Sequence, residues 1–231
     1  MEPIQTAPNR TELVYRAILD EICSGALPAE IHLKQEELAQ RLGVSRQPVQ
    51  QAMALLKADG VVEEIGTRGL RVAPLDIAAM RHHYDIRAVL DGLAARLAAE
   101  RVASGQPIGR DWENRARHLL RAGHVAVESR DTPRQIELDV ALHELVYEAS
   151  ANPLIAGTAE RHWRFLRRVM GEVLRHAELP RDIWEQHAAI VDAILAGDAK
   201  SAEIRAIEHD LLAAETLAAA LTVRTAEAIS A

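Results

Sequence analysis

The sequence predicts a mainly α protein in two parts, three helices with a β-hairpin followed by an all-helical bundle of about six helices. Three observations predict it. Ala and Leu are abundant while aromatic residues make up only 3% of 231 residues, a balance that favours helices over sheets. Apolar residues recur at helical spacing through most of the chain. One stretch alone reads as β structure: VVEEIGTRGLRVAPL, Val61 to Leu75, where two short β-branched pieces flank Gly66 to Gly69 and Pro74 closes the pattern. A hydrophobic content of 48% supports a sizeable core, and the length suits two modest domains. The change of pattern at Pro74–Asp76 divides the chain into residues 1–75 and 76–231.

The first helix spans about 11–24, with Leu13, Ala17, Ile18 and Ile22 on one stripe. The second, KQEELAQRL at 34–42, stops at Gly43, a residue suited to the position after a helix. The third, about 45–59, starts at Ser45 as N-cap, tolerates Pro48 in its first turn and stops at Gly60. After the hairpin a long helix runs from Asp76 to about Ala103, where SGQP breaks it. A helix over about 110–129 follows. Thr132-Pro133 and Asn152-Pro153 open two more, each with proline at the first helical position. Pro180 begins a fifth, and Gly197-Asp198 ends it and starts a sixth that reaches about 222, the last ten residues fraying.

Composition narrows the function classes. Cys23 is the single cysteine, so there is no disulfide framework and no cysteine-based zinc site. The N-terminus MEPIQTAPNR is polar, and no apolar run approaches the roughly 18–20 residues of a membrane span, which leads us to expect a cytoplasmic protein with no membrane partner. The net charge of −7 argues against nucleic acid at face value, but its distribution matters more. Residues 41–71 hold Arg41, Arg46, Lys57, Arg68 and Arg71 against Asp59, Glu63 and Glu64, a local balance of +2. Residues 76–231 hold 24 acids and 19 bases.

The stretch EELAQRLGVSRQPVQQAMALL has the spacing of helix, glycine turn, helix. Leu38, Leu42, Val44, Val49, Ala52 and Leu56 form its inward face, and Ala39 is small where two helices cross. Ser45, Arg46, Gln47, Gln50 and Gln51 cluster at the start of the second helix, the end that enters a major groove. Arg46 can fork onto guanine or clamp a phosphate, glutamine can pair with adenine, and Ser45 at a helix start suits a phosphate. Thr67, Arg68 and Gly69 form the hairpin tip. Helix-turn-helix and hairpin in this order read as a winged, double-stranded-DNA-binding domain rather than a three-helix core with a solvated helix start. LAQRLGVSRQPVQQAMALLKADGVVEEIGTRGLRV resembles the N-terminal domain of the GntR family of bacterial transcription regulators, over about residues 10–73. The resemblance implies a homodimer on a short palindromic operator. The family usually has arginine then glutamate where this chain has Gln50 and Gln51, which implies weaker phosphate attraction or an altered operator.

The second constellation is Asp139, His143, His187 and His209. Asp139 and His143, in IELDVALHELVYEAS, are four apart and share a helix face. His187 lies beside Ile190, Val191 and Ile194, and His209 beside Ile204, Leu211 and Leu212. Three imidazoles and a carboxylate suit Zn²⁺, Ni²⁺ or another divalent transition metal. From spacing alone, satisfied core polar groups are the stronger reading, since a lone buried histidine is more often a core residue and the chain uses histidine freely. The helical part looks like the effector-binding domain of the FadR-like subgroup, the FCD domain, over about residues 78–222, matching D-x-x-x-H before YEASANPL, the histidine before AAIVDAI and a histidine in the last helix. That resemblance implies a divalent metal on the four residues, with open positions for water or a small organic acid. It also implies a cavity-facing arginine at Arg87, a carboxylate clamp. The alternative for Arg87 is an ion pair with Asp85 or Asp91. The resulting expectation is a regulator whose operator affinity responds to a small carboxylate, not an enzyme. A metalloenzyme using a metal-activated water, or a regulator with a purely structural metal, are the competing readings.

Overall fold

The computed structural model describes residues 10–66, 69–109, 111–174 and 182–230, with side chains to residue 223. It divides into two compact units that part between Leu75 and Asp76. The first holds α1 (Arg10–Cys23), α2 (Gln35–Leu42), α3 (Arg46–Ala58), β1 (Val62–Ile65) and β2 (Gly69–Val72). Helix α1 buries Val14, Tyr15, Ile18, Leu19 and Ile22, so its stripe sits one residue from the expected one and Leu13 is 56% exposed. Tyr15 can enter the core because its hydroxyl donates to Asp59 at 2.7 Å while the ring packs inside. Helix α2 ends at Gly43, φ 63°, a left-handed conformation in which a Cβ is strained. The turn closes with Val44 N donating to Ala39 O at 3.0 Å, and α3 starts from Ser45 as N-cap. Leu38, Val49, Ala52 and Leu56 are buried, with Leu42 and Val44 packed at the edge of the same core.

Strands β1 and β2 pair antiparallel from Val62↔Val72 to Ile65↔Gly69. The segment before α2 extends this sheet, Leu33 N donating to Leu70 O at 2.8 Å and Val72 N to Ile31 O at 3.0 Å. Thr67 and Arg68, expected at the hairpin tip, lie outside the described residues.

The second unit is helical throughout its described residues: α4 (Ile77–Ala103), α5 (Trp112–Glu128), α6 (Thr132–Ser150), α7 (Pro153–Leu174), α8 (Ile183–Leu195) and α9 (Ala199–Ser230). Helix α4 packs against α6, α7, α8 and α9. Its buried Ala88, Ala94, Ala95, Ala98, Ala99 and Gly92 keep the neighbouring backbones close, which lets side chains from four helices meet around its middle. Asp76 caps α4 by accepting from Ala78 N and Ala79 N, and Asp131 with Pro133 starts α6. Helix α8 begins at Ile183, and the Pro180 start expected for it lies outside the described residues. Helix α9 runs to Ser230 instead of stopping near 222, because TVRTAEAIS contains neither glycine nor proline. Gly123 on α5 is set by packing: a Cβ there would stand 2.2 Å from the Trp184 ring of α8.

Candidate metal centre and nucleic-acid interface

Four ligand-bearing side chains meet in the second unit. Helix α6 supplies Asp139 and His143, α8 supplies His187 and α9 supplies His209, and one ligand atom from each lies within 4.8 Å of all the others. All four residues are at most 5% exposed. His187 Nε2 is 3.2 Å from Asp139 Oδ1 and 3.3 Å from His143 Nε2, and His143 Nε2 is 3.9 Å from the same Asp139 oxygen. Separations of 3.2–3.9 Å are compatible with the edges of a coordination shell whose bonds are about 2.0–2.2 Å. Burial pushes the Asp139 carboxyl up, but the hydrogen bond from His187 and the charge of His143, His187 and Arg87 outweigh it and hold it at about 2. Burial lowers His187 and takes His209 well below its ordinary value. An ionised carboxylate and neutral imidazoles are the protonation states a divalent metal requires.

Helix α4 places Arg87 beside this quartet, 1% exposed. Its guanidinium lies 3.8 Å above the Trp163 ring, and Nη2 is 3.0 Å from Asp210 Oδ1. Arg87 Nε donates to Asp91 Oδ2 at 3.1 Å, so the pairing with Asp91 forms in the core and not on the surface. Burial pushes Asp210 well above the usual carboxylate range against the pull of Arg87, whereas His143 and Arg87 overcome burial at Asp91 and hold it well below. Arg87 Nη2 also stands 2.9 Å from His143 Nε2, so guanidinium and a metal ion contend for one lone pair.

The donor set fits a borderline divalent metal. Charge points the same way: Asp91 and Asp139 are held in the ionised form while Arg87 is the cation beside them, and buried carboxylates in excess of cations need a further positive partner. A small cavity adjoins the quartet, lined by Leu142, Val146, Ile190 and Val191 together with Asp91, His143 and His187.

Several members of this network were not expected from the sequence: Asp91 as a partner of His143, Asp210, Tyr147 and Gln186. The adjacency of Asp210 to His209 and the i, i+4 spacing of Arg87 and Asp91 were the available signals. On α7, Trp163 and Arg168 are buried while Arg164 donates to Glu160.

In the first unit Ser45, Arg46, Gln47 and Gln50 all lie exposed at the start of α3. Ser45 makes no side-chain capping bond. Arg46 pairs with Glu36 of α2, and Gln51 Oε1 accepts from Thr11 at 2.5 Å, which ties Gln51 to α1. Gly69 opens β2.

Comparison with known proteins adds the following. Residues 82–213 match the FCD domain, and residues 10–72 match the bacterial regulatory proteins of the gntR family. A probable D-xylose utilization operon transcriptional repressor of Paenarthrobacter nicotinovorans is 30% identical over 202 residues, 85% of this chain and 83% of the relative. The HTH-type transcriptional repressor RspR of Escherichia coli is 25% identical over 210 residues, 89% of this chain and 90% of RspR. Among solved structures, E. coli McbR/YncC superposes with a TM-score of 0.77 at 19% identity, covering 91% of this chain and 98% of that one. A putative GntR transcriptional regulator from Rhodococcus sp. RHA1 gives 0.72 at 20% identity, covering 90% and 97%.

Proposed function

The chain belongs to the gntR family of bacterial regulatory proteins and carries an FCD domain; it is a DNA-binding transcriptional regulator and not an enzyme, and from that premise we propose that a small organic acid sets its operator affinity through a divalent metal held by Asp139, His143, His187 and His209. The observation that carries this reading is the buried quartet itself, four donors from three helices within 4.8 Å. Zn²⁺ or Ni²⁺ fits three imidazoles and one carboxylate, and the metal supplies a Lewis-acidic point that takes an oxygen ligand. Arg87 is the second anchor for the acid. Its guanidinium already serves Asp91 and Asp210, so the incoming carboxylate exchanges with one of these and does not meet an idle cation.

Ser45, Arg46, Gln47 and Gln50 at the start of α3, with Thr67, Arg68 and Gly69 of the wing, are the proposed reading set for a palindromic operator bound by a cytoplasmic homodimer. Gln50 carries no charge, so Arg46 bears more of the base contact. Two of the relatives above are called repressors, which makes repression the direction to test first.

The test starts from the DNA. Fragmented source-genome DNA is enriched on the purified protein, the retained palindrome is used in a mobility-shift titration, and candidate acids are added with and without a chelator. An acid that changes operator affinity only when metal is present supports the proposal. The same change after complete metal removal refutes the metal's role. No response to any acid at constant metal, with a response to metal itself, replaces this reading with a metal sensor.

A further inference from the structure

The three imidazoles of the quartet differ in what holds their second nitrogen. A metal-binding imidazole offers a lone pair on one ring nitrogen and carries hydrogen on the other, and an acceptor at that other nitrogen sets both tautomer and ring plane. Asp91 Oδ2 lies 2.9 Å from His143 Nδ1. Gln186 Oε1 lies 3.0 Å from His209 Nδ1. His187 Nδ1 is buried and has no hydrogen-bond partner among the described residues.

Asp91 is itself immobilised. Arg87 Nε donates to its Oδ2 at 3.1 Å, the Tyr147 hydroxyl donates to its Oδ1, and Trp163 Nε1 donates to that hydroxyl at 3.2 Å. A carboxylate held from two sides cannot follow a ring that turns, so it fixes the ring. Gln186 is a neutral acceptor on α8, and it reaches across to a ring on α9.

We infer that Asp91 and Gln186 are positioning residues of the metal centre, Asp91 orienting His143 and Gln186 orienting His209, with His187 left without such support among the described residues. This rests on the metal reading above. The carboxylate stabilises positive charge on its imidazole more than the amide does, so it makes His143 the more basic of the two ligands. The centre is therefore graded: His143 is the most firmly held imidazole, His209 the next and His187 the least.

The experiment is competition for Zn²⁺ between a chromophoric chelator and three proteins, the full wild-type chain, Asp91→Asn and Gln186→Met. Each is checked for helical content by circular dichroism. Wild type is expected to take one ion per chain, Asp91→Asn to bind about 10–100-fold more weakly, and Gln186→Met to lose affinity by a smaller factor. With Co²⁺ as a second probe, the visible bands of both variants are expected to shift, because ligand orientation and basicity change while the ligand set does not. Unchanged affinity and unchanged Co²⁺ bands in both variants would overturn the inference. Should Asp91→Asn fail to fold once Arg87 loses a partner, Gln186→Met decides alone, because Gln186 is only part-buried; unchanged affinity there overturns the inference equally. A wild-type chain that takes up no ion overturns the metal reading instead, and this inference with it.

Discussion

Among the described residues, Arg46 is the cation proposed to read a base, and Glu36 pairs with it. The pair is exposed on both sides, so it contributes little to folding. Its consequence is competitive, because DNA has to replace a carboxylate that is already in place. Arg46→Ala is expected to weaken operator binding roughly tenfold or more, and Glu36→Gln to tighten it by a smaller factor, both measured by fluorescence anisotropy on the enriched palindrome at fixed salt. Equal operator affinity in Arg46→Ala would remove Arg46 from the reading set. In the other unit, His187 is the proposed ligand with least support among the described residues, and it sits on a well-packed helix. His187→Ala is expected to lose bound metal and acid response while keeping its helical content. Elemental analysis settles it, since metal content per chain at the wild-type level would show that His187 is not a ligand.

At the scale of elements, α4 and α7 meet through a pair of histidines outside the quartet. His83 Nδ1 and His162 Nδ1 stand 3.0 Å apart, and His83 lies flat on Phe165 with ring centroids 4.2 Å apart. Burial, then His162, Arg161 and His82, lower His83 from 6.5 to about 4, and burial with Arg161 lowers His162. Between those two values the unfolded chain binds more protons at His83 than the folded one, so stability rises with pH. The penalty is absent above about 6.5 and complete below about 4. Thermal midpoints are expected to fall as pH drops through this window, and to fall less steeply in His83→Phe. His187 and His209 add the same sign of slope to both proteins, so the difference between the two curves isolates His83. Parallel curves would show that the pair carries no such penalty.

The elements themselves were largely legible because they are punctuated: Ser45, Gly43, Pro133 and Pro153 mark starts and stops whatever packs against them. Faces were less legible. In α9 the residues expected beside His209, namely Ile204, Leu211 and Leu212, are 43–50% exposed. The helix instead buries Ala202, Ala206, Ala214, Leu217 and Ala218. An alanine stripe carries almost no hydrophobic contrast, so periodicity follows the larger side chains to the wrong side. The quartet was legible because i, i+4 spacing and helix character survive in one dimension. Asp91 and Gln186 were not, because each serves a histidine on another helix.

On the scale of the whole molecule, the proposed DNA-reading residues and the proposed metal donors fall in different units, divided at Leu75 and Asp76. Residues 1–75 hold eight bases and ten acids, so attraction to phosphate comes from where Arg46 and its neighbours stand and not from the charge of the unit. On the proposed reading, a metal in the second unit acts on DNA only by favouring one arrangement of the chain over another. Two measurements follow. In calorimetry, metal at about a thousand times its Kd is expected to stabilise the second unit by about 4 kcal/mol and leave the transition of the first where it was. Movement of neither transition means that the quartet holds no metal. In titration, coupling between sites is reciprocal: if an acid changes operator affinity by some factor, saturating operator changes the acid's affinity by that same factor. Measuring the acid's affinity with and without operator therefore tests the regulator independently of any mutation. Unequal factors would mean that the acid's effect on DNA passes through something other than the site where it was measured to bind.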